Sequence, residues 1–345
     1  MNHRDALRGL SLRMLAIGGL ALGGVTFALG CRPAHPDRDW DALRDRFMEA
    51  YFQDRPEFAT YEGRHDFDGR LSDWSETGLR VSIALLHQFR DQATAFDPTK
   101  LDALRRFERG YLIAQIDKDL FWLETAQAPW RNPSWYAGSL DPNVYIARPY
   151  APLPVRLRGF IGWARAIPGA MAQIRANLRT PLPKVYVDIG RIRFGGLIPF
   201  LEHDVAPVFA EVADTALQRE FGEATAGAVE ALRETDTWLA AQLPAAADSF
   251  ALGPDLFAKM LLATEGVDVP LDRLEALGRA DLARNQKAMA EACARFAPGK
   301  SIPACMDRAN AHKAAGGTVT AASGQLVGLQ QFIRDHDLVS IPRTE

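Results

Sequence analysis

The stretch "PTKLDALRRFERGYLIAQIDKDLFWL", Pro98 to Leu123, decides the fold class. Its apolar residues Leu101, Leu104, Phe107, Tyr111, Leu112, Ile116, Leu120 and Leu123 recur at three- and four-residue spacing. That period lines one face of an α-helix, not the alternate sides of a strand. Pro98 suits the first turn of such a helix, where its missing N–H is not needed.

The same pattern extends in both directions. Upstream, Trp40, Leu43, Phe47 and Tyr51 mark one amphipathic helix. Downstream, a helix pair is expected over Leu157–Leu178 and Val185–Val212, with Pro168, Pro199 and Pro207 kinking or dividing it. Further amphipathic stretches cover Ala216–Leu243, Leu256–Thr264 and Leu271–Phe296. A strand signal comes only at the end, in "LVSIP" from Leu338 to Pro342. The reading is a mostly-α, multi-helix array.

One region interrupts it. Between Pro129 and Pro154, "PWRNPSWYAGSLDPNVYIARPYAPLP" carries six prolines, two tryptophans and three tyrosines. Prolines at that density forbid a continuous helix. A long aromatic-rich loop either walls a cleft or fills gaps between helices, and sequence alone leaves both open.

The N-terminus is of another kind. Arg4, Arg8 and Arg13 precede "MLAIGGLALGGVTFALG", an uncharged run from Met14 to Gly30. A basic region followed by an apolar one reads as an export signal, and the run is short for a membrane span, which needs about 20 apolar residues. It ends in "ALGC", Ala28–Cys31, which resembles a bacterial lipobox and points to Cys31 as a lipidated mature N-terminus. A plain secretory signal cleaved nearby is the alternative. The domain reading is a lipoprotein-type signal over residues 1–30, a tether over 31–38 and a helical domain over 39–345. Export places the other two cysteines in an oxidising compartment. Cys293 and Cys305 bracket a turn containing Pro298, Gly299 and Pro303, so they are candidates for a disulfide, with two buried thiols as the alternative.

A net charge of -3, with acidic and basic residues interleaved, gives no basic stripe for nucleic acid. Helical zinc chemistry would need His-Glu-x-x-His, and no two of the seven histidines lie four apart. There is no Gly-x-Ser-x-Gly elbow. "APGKS", Ala297–Ser301, ends like a phosphate loop but has Ala294 where the loop requires glycine, and Pro303 breaks the helix that should follow. "RFGGLIP" has a glycine pair without a preceding strand, so it is no dinucleotide fingerprint. No catalytic residue and no metal ligand set are assigned. His65, Asp66 and Asp68 read as a polar turn that Gly63 and Gly69 allow to reverse. His65, Asp66, Asn132 and Tyr136 are kept as candidates for a cleft wall.

Five segments, taken in order, resemble the bacterial family known as domain of unknown function 885. They are "RPEFATYEGRHDFDGRLSDWS", "RNPSWY", "RLRGFIGWARAIPGAMAQIRANLRTPLPKVYVDIG", "LDRLEALGRADLARNQKAM" and "FIRDHDLVSIP". The resemblance covers the chain from about Trp40 onward. It implies a helical zinc-dependent peptidase of gluzincin type, whose His-Glu-x-x-His helix belongs to a C-terminal half that nothing in this sequence matches. The expectation is therefore an N-terminal portion of a larger peptidase fold, truncated after Glu345 and inactive alone. Zinc and a peptide substrate are implied only for a full-length member. The alternative is a non-catalytic helical lipoprotein that binds a peptide or protein partner. Either way, the expected location is the bacterial envelope, anchored by lipid and facing the periplasm.

Overall fold

A computed structural model describes residues 35–340, apart from 312, 314 and 315. The signal over residues 1–30 and the proposed lipid site at Cys31 lie outside the described residues. The tether expected over residues 31–38 is shortened, because helix α1 (Pro36–Asp54) already begins at Pro36, a proline suited to a first helical turn. Its Trp40, Leu43 and Phe47 are buried, as their spacing requires. Pro56 then disfavours helical geometry at Arg55, so the chain breaks there and restarts as α2 (Pro56–Tyr61). Helix α3 (Glu76–Thr94) is capped by Ser75, whose hydroxyl accepts from the Gly78 N–H.

Helix α4 (Ala103–Leu120) does not open at Pro98. Pro98–Lys100 is a single short turn, Leu101 is extended, and Asp102 caps α4 by accepting from the Arg105 N–H. The decisive stripe also divides. Leu101, Leu112, Ile116, Leu120 and Leu123 are buried, whereas Leu104, Phe107 and Tyr111 are 61%, 69% and 58% exposed. The reason is that α1 meets the start of α4 along the neighbouring face, through ion pairs of Arg105 with Asp41 and Arg44 with Glu108. The rings of Phe107 and Tyr111 are left outside that seam, stacked on each other.

Beyond α4 a five-residue π-helical turn spans Phe121–Thr125. The proline-rich region follows as short pieces: α5 (Ala128–Arg131), turns at Pro133–Trp135 and Ala137–Leu140, and α6 (Asn143–Ala147). Helix α7 (Leu153–Asn177) then runs through Pro168 without being divided there. Pro168 lies on the exposed side, and its neighbours Ile167 and Met171 are fully buried, so tertiary packing holds the helix across a residue that would break it alone. Pro199 and Pro207 do divide the next stretch: α8 (Lys184–Pro199), a second π-helical turn (Phe200–Asp204) and α9 (Ala206–Phe209).

Helix α10 (Thr215–Gln242) packs along α7 and α8 and closes the core. Phe160, Phe209 and Phe221 form an aromatic triangle there, with centroids 5.5–5.9 Å apart. A backbone bridge ties the two ends of this layer: Lys184 N–H donates to Ala247 O, and Ala247 N–H to Leu182 O, each at 2.8 Å.

Helix α11 (Pro254–Glu265) returns to pack on α4 and its π-helical turn. Helices α12 (Leu271–Phe296), α13 (Ile302–Asn310) and α14 (Thr318–Asp335) bury little: Cys293, Ala297 and Cys305 form a small separate cluster. The two cysteines are joined by a disulfide, with Cα atoms 5.8 Å apart. Leu277, Leu282, Val319 and Val327 on these helices are exposed. The strand expected in "LVSIP" is absent from Leu338 to Ser340, which follow a turn at His336–Asp337; Ile341 and Pro342 lie outside the described residues. Asp337 takes a left-handed φ of 47°, which ends α14 without an extended exit. Among the described residues there is no β-strand, and no helix is long and apolar enough to cross a membrane.

Candidate functional site

The break between α1 and α2 builds the most chemically distinctive place in the molecule. Because the chain turns at Arg55, three carboxylates gather around one guanidinium. Arg55 Nη1 lies 2.5 Å from Asp119 Oδ2 on α4, and Arg55 Nε lies 3.6 Å from Asp54 Oδ2. The Tyr51 hydroxyl donates to Asp119 at 2.9 Å. The Ser82 hydroxyl donates to Asp54 at 2.5 Å. One turn on, Glu57 accepts the Ser72 N–H at 3.0 Å, and the Ser72 hydroxyl sits 3.0 Å from each of its oxygens. Burial disfavours the charged form and pushes the pKa of Asp54, Glu57 and Asp119 above the ordinary carboxylate range; hydrogen bonds from Ser82, Ser72 and Arg55 only partly oppose it.

A cavity of about 270 Å³ opens over this cluster. Arg55, Glu57, Ser72 and Asp119 supply its polar floor, and Trp74, Trp122 and Trp135 supply its walls. The three indoles come from three separate segments. Trp74 precedes α3, Trp122 is delivered by the π-helical turn, and Trp135 with Ser139 comes from the proline-rich region. The π turn is marked by the Ala126 N–H donating to the Phe121 carbonyl five residues earlier, at 2.8 Å. Its residues border two further cavities. Trp122 also lines one of about 520 Å³ with Tyr186, Phe250 and Phe257. Phe121 and Glu124 line another of about 730 Å³ with His87 and Leu262, where His87 Nε2 and Glu124 Oε2 are 2.7 Å apart.

None of the residues singled out from sequence lines this cavity. His65 and Asp66 lie in a short helical turn, His65–Phe67. His65 Nδ1 is 3.0 Å from Asp68 Oδ1, while Asp66 pairs with Arg64, whose guanidinium holds the Asp66 carboxyl below its usual range. Asn132 caps the turn Pro133–Trp135 by accepting from the Ser134 N–H. Tyr136 is fully buried; its hydroxyl donates to Pro129 O at 2.8 Å and accepts from Asn177 Nδ2 at 3.1 Å. Burial drives its phenol well above the ordinary value. Tyr136 therefore props up the wall that its neighbour Trp135 presents.

Sequence reading passed over Arg55, Glu57, Asp119 and Trp122. The one local signal was Pro56, which forces the turn that brings Arg55 and Glu57 inward. Nothing in "KDLFWLET" announces a π turn, since its apolar spacing continues that of α4.

Among the described residues, no three His, Cys, Asp or Glu side chains come together as a metal-binding group. The zinc implied by the family resemblance therefore has no ligand set among them.

The sequence model of the family described as "Bacterial protein of unknown function (DUF885)" matches residues 56–345. No curated protein matches the sequence. Among solved structures, one from Shewanella oneidensis, titled as a "putative lipoprotein of unknown function", superposes with a TM-score of 0.69 at 20% identity. The match covers 88% of this chain and 58% of that one, so this chain spans less than two thirds of its neighbour's length. At that identity the likeness is one of fold.

Proposed function

The chain belongs to the DUF885 family of bacterial proteins of unknown function, and on that premise we propose that it is the scaffold portion of an exported peptide-hydrolysing protein. In this reading the tryptophan-walled cavity holds peptide. Zinc and the His-Glu-x-x-His helix that this sequence lacks would supply hydrolysis. The observation that carries it is the cavity wall itself. The proline-aromatic region, which could have been mere filler, contributes Trp135 and Ser139 over the partly buried carboxylates of Glu57 and Asp119. Concave sites with apolar walls and a few convergent polar groups are where small ligands and chain ends bind.

Export through the basic and apolar leader, with lipid on Cys31 and the helical body facing the periplasm, completes the proposal. The neighbour titled as a lipoprotein is consistent with it.

The test uses the chain from Cys31 onward with trialanine as probe. Tryptophan fluorescence should change saturably on titration, while chromatography shows the peptide uncut and metal analysis shows zinc well below one equivalent after dialysis. Zinc retained at one equivalent, or cleavage by this chain, would overturn the scaffold assignment. The alternative of a non-catalytic binding lipoprotein shares the cavity. It gains if the longest in-frame product of the gene also leaves peptide intact in the presence of zinc.

A further inference from the structure

We propose that this cavity recognises the free α-ammonium group of a peptide N-terminus; the inference rests on the peptide-binding reading and names the end of the peptide that enters. The first argument is charge. Asp54, Glu57 and Asp119 face a single cation, Arg55, which is already engaged by Asp119 and Asp54. Of the residues lining the cavity, Arg55 is the only cation, while Glu57 and Asp119 are both acidic. A carboxylate terminus would enter against like charge with no free partner. An ammonium would meet an excess of acceptors in a partly dry setting, where attraction is less screened than in water.

The second argument is the wall. Trp74, Trp122 and Trp135 surround the acidic floor from three sides of sequence. Indole faces attract ammonium groups more strongly than other aromatic rings do, which is why cages of this composition select cations.

The third argument is a fixed wall of the right size. Trp74 is only 4% exposed, and its backbone is bonded at both ends: its N–H donates to Gln173 at 2.9 Å and its carbonyl accepts from Asn177 at 2.6 Å. A volume of about 270 Å³ suits the end of a chain and not its middle.

The experiment compares trialanine, its N-acetyl form and its C-terminal amide by calorimetry on the chain from Cys31 onward. The free and the amidated peptides should bind alike, and acetylation should weaken binding by at least about tenfold, the scale expected when a desolvated charge loses its partner. Glu57→Gln should weaken the free peptide and leave the acetylated one unchanged. Trp122→Phe should retain part of the affinity that Trp122→Ala loses, with thermal melts confirming that each variant folds. Equal affinity for free and acetylated peptides would overturn the ammonium inference and leave peptide binding standing. Binding of neither would overturn both. The wild-type comparison decides the matter without depending on any variant.

Discussion

The imidazole of His65 lies flat against the ring of Tyr150, centroids 3.5 Å apart and planes 4° from parallel. Both side chains end on one carboxylate, Asp68, which His65 Nδ1 approaches at 3.0 Å and the Tyr150 hydroxyl at 2.7 Å. The early acidic turn and the proline-aromatic region, 82 positions apart, are thereby fastened together.

Removing one strand of that fastening should be measurable. Tyr150→Phe deletes the hydroxyl but keeps the stacked ring. The Asp68 side chain is 15% exposed, so water can partly replace the lost donor. The expected cost is about 1 kcal/mol, read as a lowered denaturation midpoint with an unchanged m-value. A midpoint equal to the wild type would show that the bond contributes nothing net.

Gly69 should be less forgiving. It has a φ of +79°, and a Cβ added there would lie 3.0 Å from the Gly162 Cα and 3.1 Å from the Gly159 carbonyl on α7. Gly69→Ala therefore meets both strain and a backbone clash, with an expected loss of about 3 kcal/mol. Gly63, at φ +92° but in open space, separates the two causes. Gly63→Ala should cost about 1 kcal/mol, from strain alone. Equal losses at the two positions would remove the clash from the account.

The cavity carboxyls give a pH signature of known sign. Asp54, Glu57 and Asp119 have folded-state pKa values raised by burial. Folding thus favours their protonated forms. The stability they contribute is fully present below the unfolded carboxylate pKa and is lost as pH rises through the raised folded values. Glu57→Gln removes one such group. Its stability should overtake that of the wild type as pH is raised across that window, as followed by urea denaturation at stepped pH. Parallel curves for the two proteins would refute the linkage.

The disulfide should act locally. Cys293 and Cys305 are 12 positions apart and tie α12 to α13, where little else is buried. Closing a loop of that length is worth about 3 kcal/mol. Reduction should expose α12 and α13 to proteolysis while the α7–α10 layer stays protected, which limited digestion with mass spectrometry would resolve. Simultaneous loss of both regions would mean that they unfold as one unit.

The helical class was legible because apolar spacing reports burial on one face, and α10, α11 and α12 begin and end within a few residues of their sequence limits. The stripe of α4 misled because spacing cannot say which of two adjacent faces a neighbour will cover; ion pairs with α1 settled that at Asp41 and Glu108. Pro168 does not divide α7 because a helix held by Ile167 and Met171 tolerates what an isolated helix does not. The candidate site was legible only in its aromatic region. Glu57 and Asp119 stand 62 positions apart in sequence, and their meeting depends on a turn at Arg55 and on the packing of α4 against α1.

The π-helical turn sets helical regularity against the shape of the cavities that Trp122 lines. Deleting one residue between Phe121 and Thr125 would let the α4 ladder run on in ordinary register, with straighter hydrogen bonds. The same deletion would swing Trp122 around the helix axis and take one indole out of two cavities at once. On the proposed peptide-binding reading, selection for heat resistance alone would therefore favour a chain that folds better and binds worse. A library screened for both properties should retain all five residues of this turn.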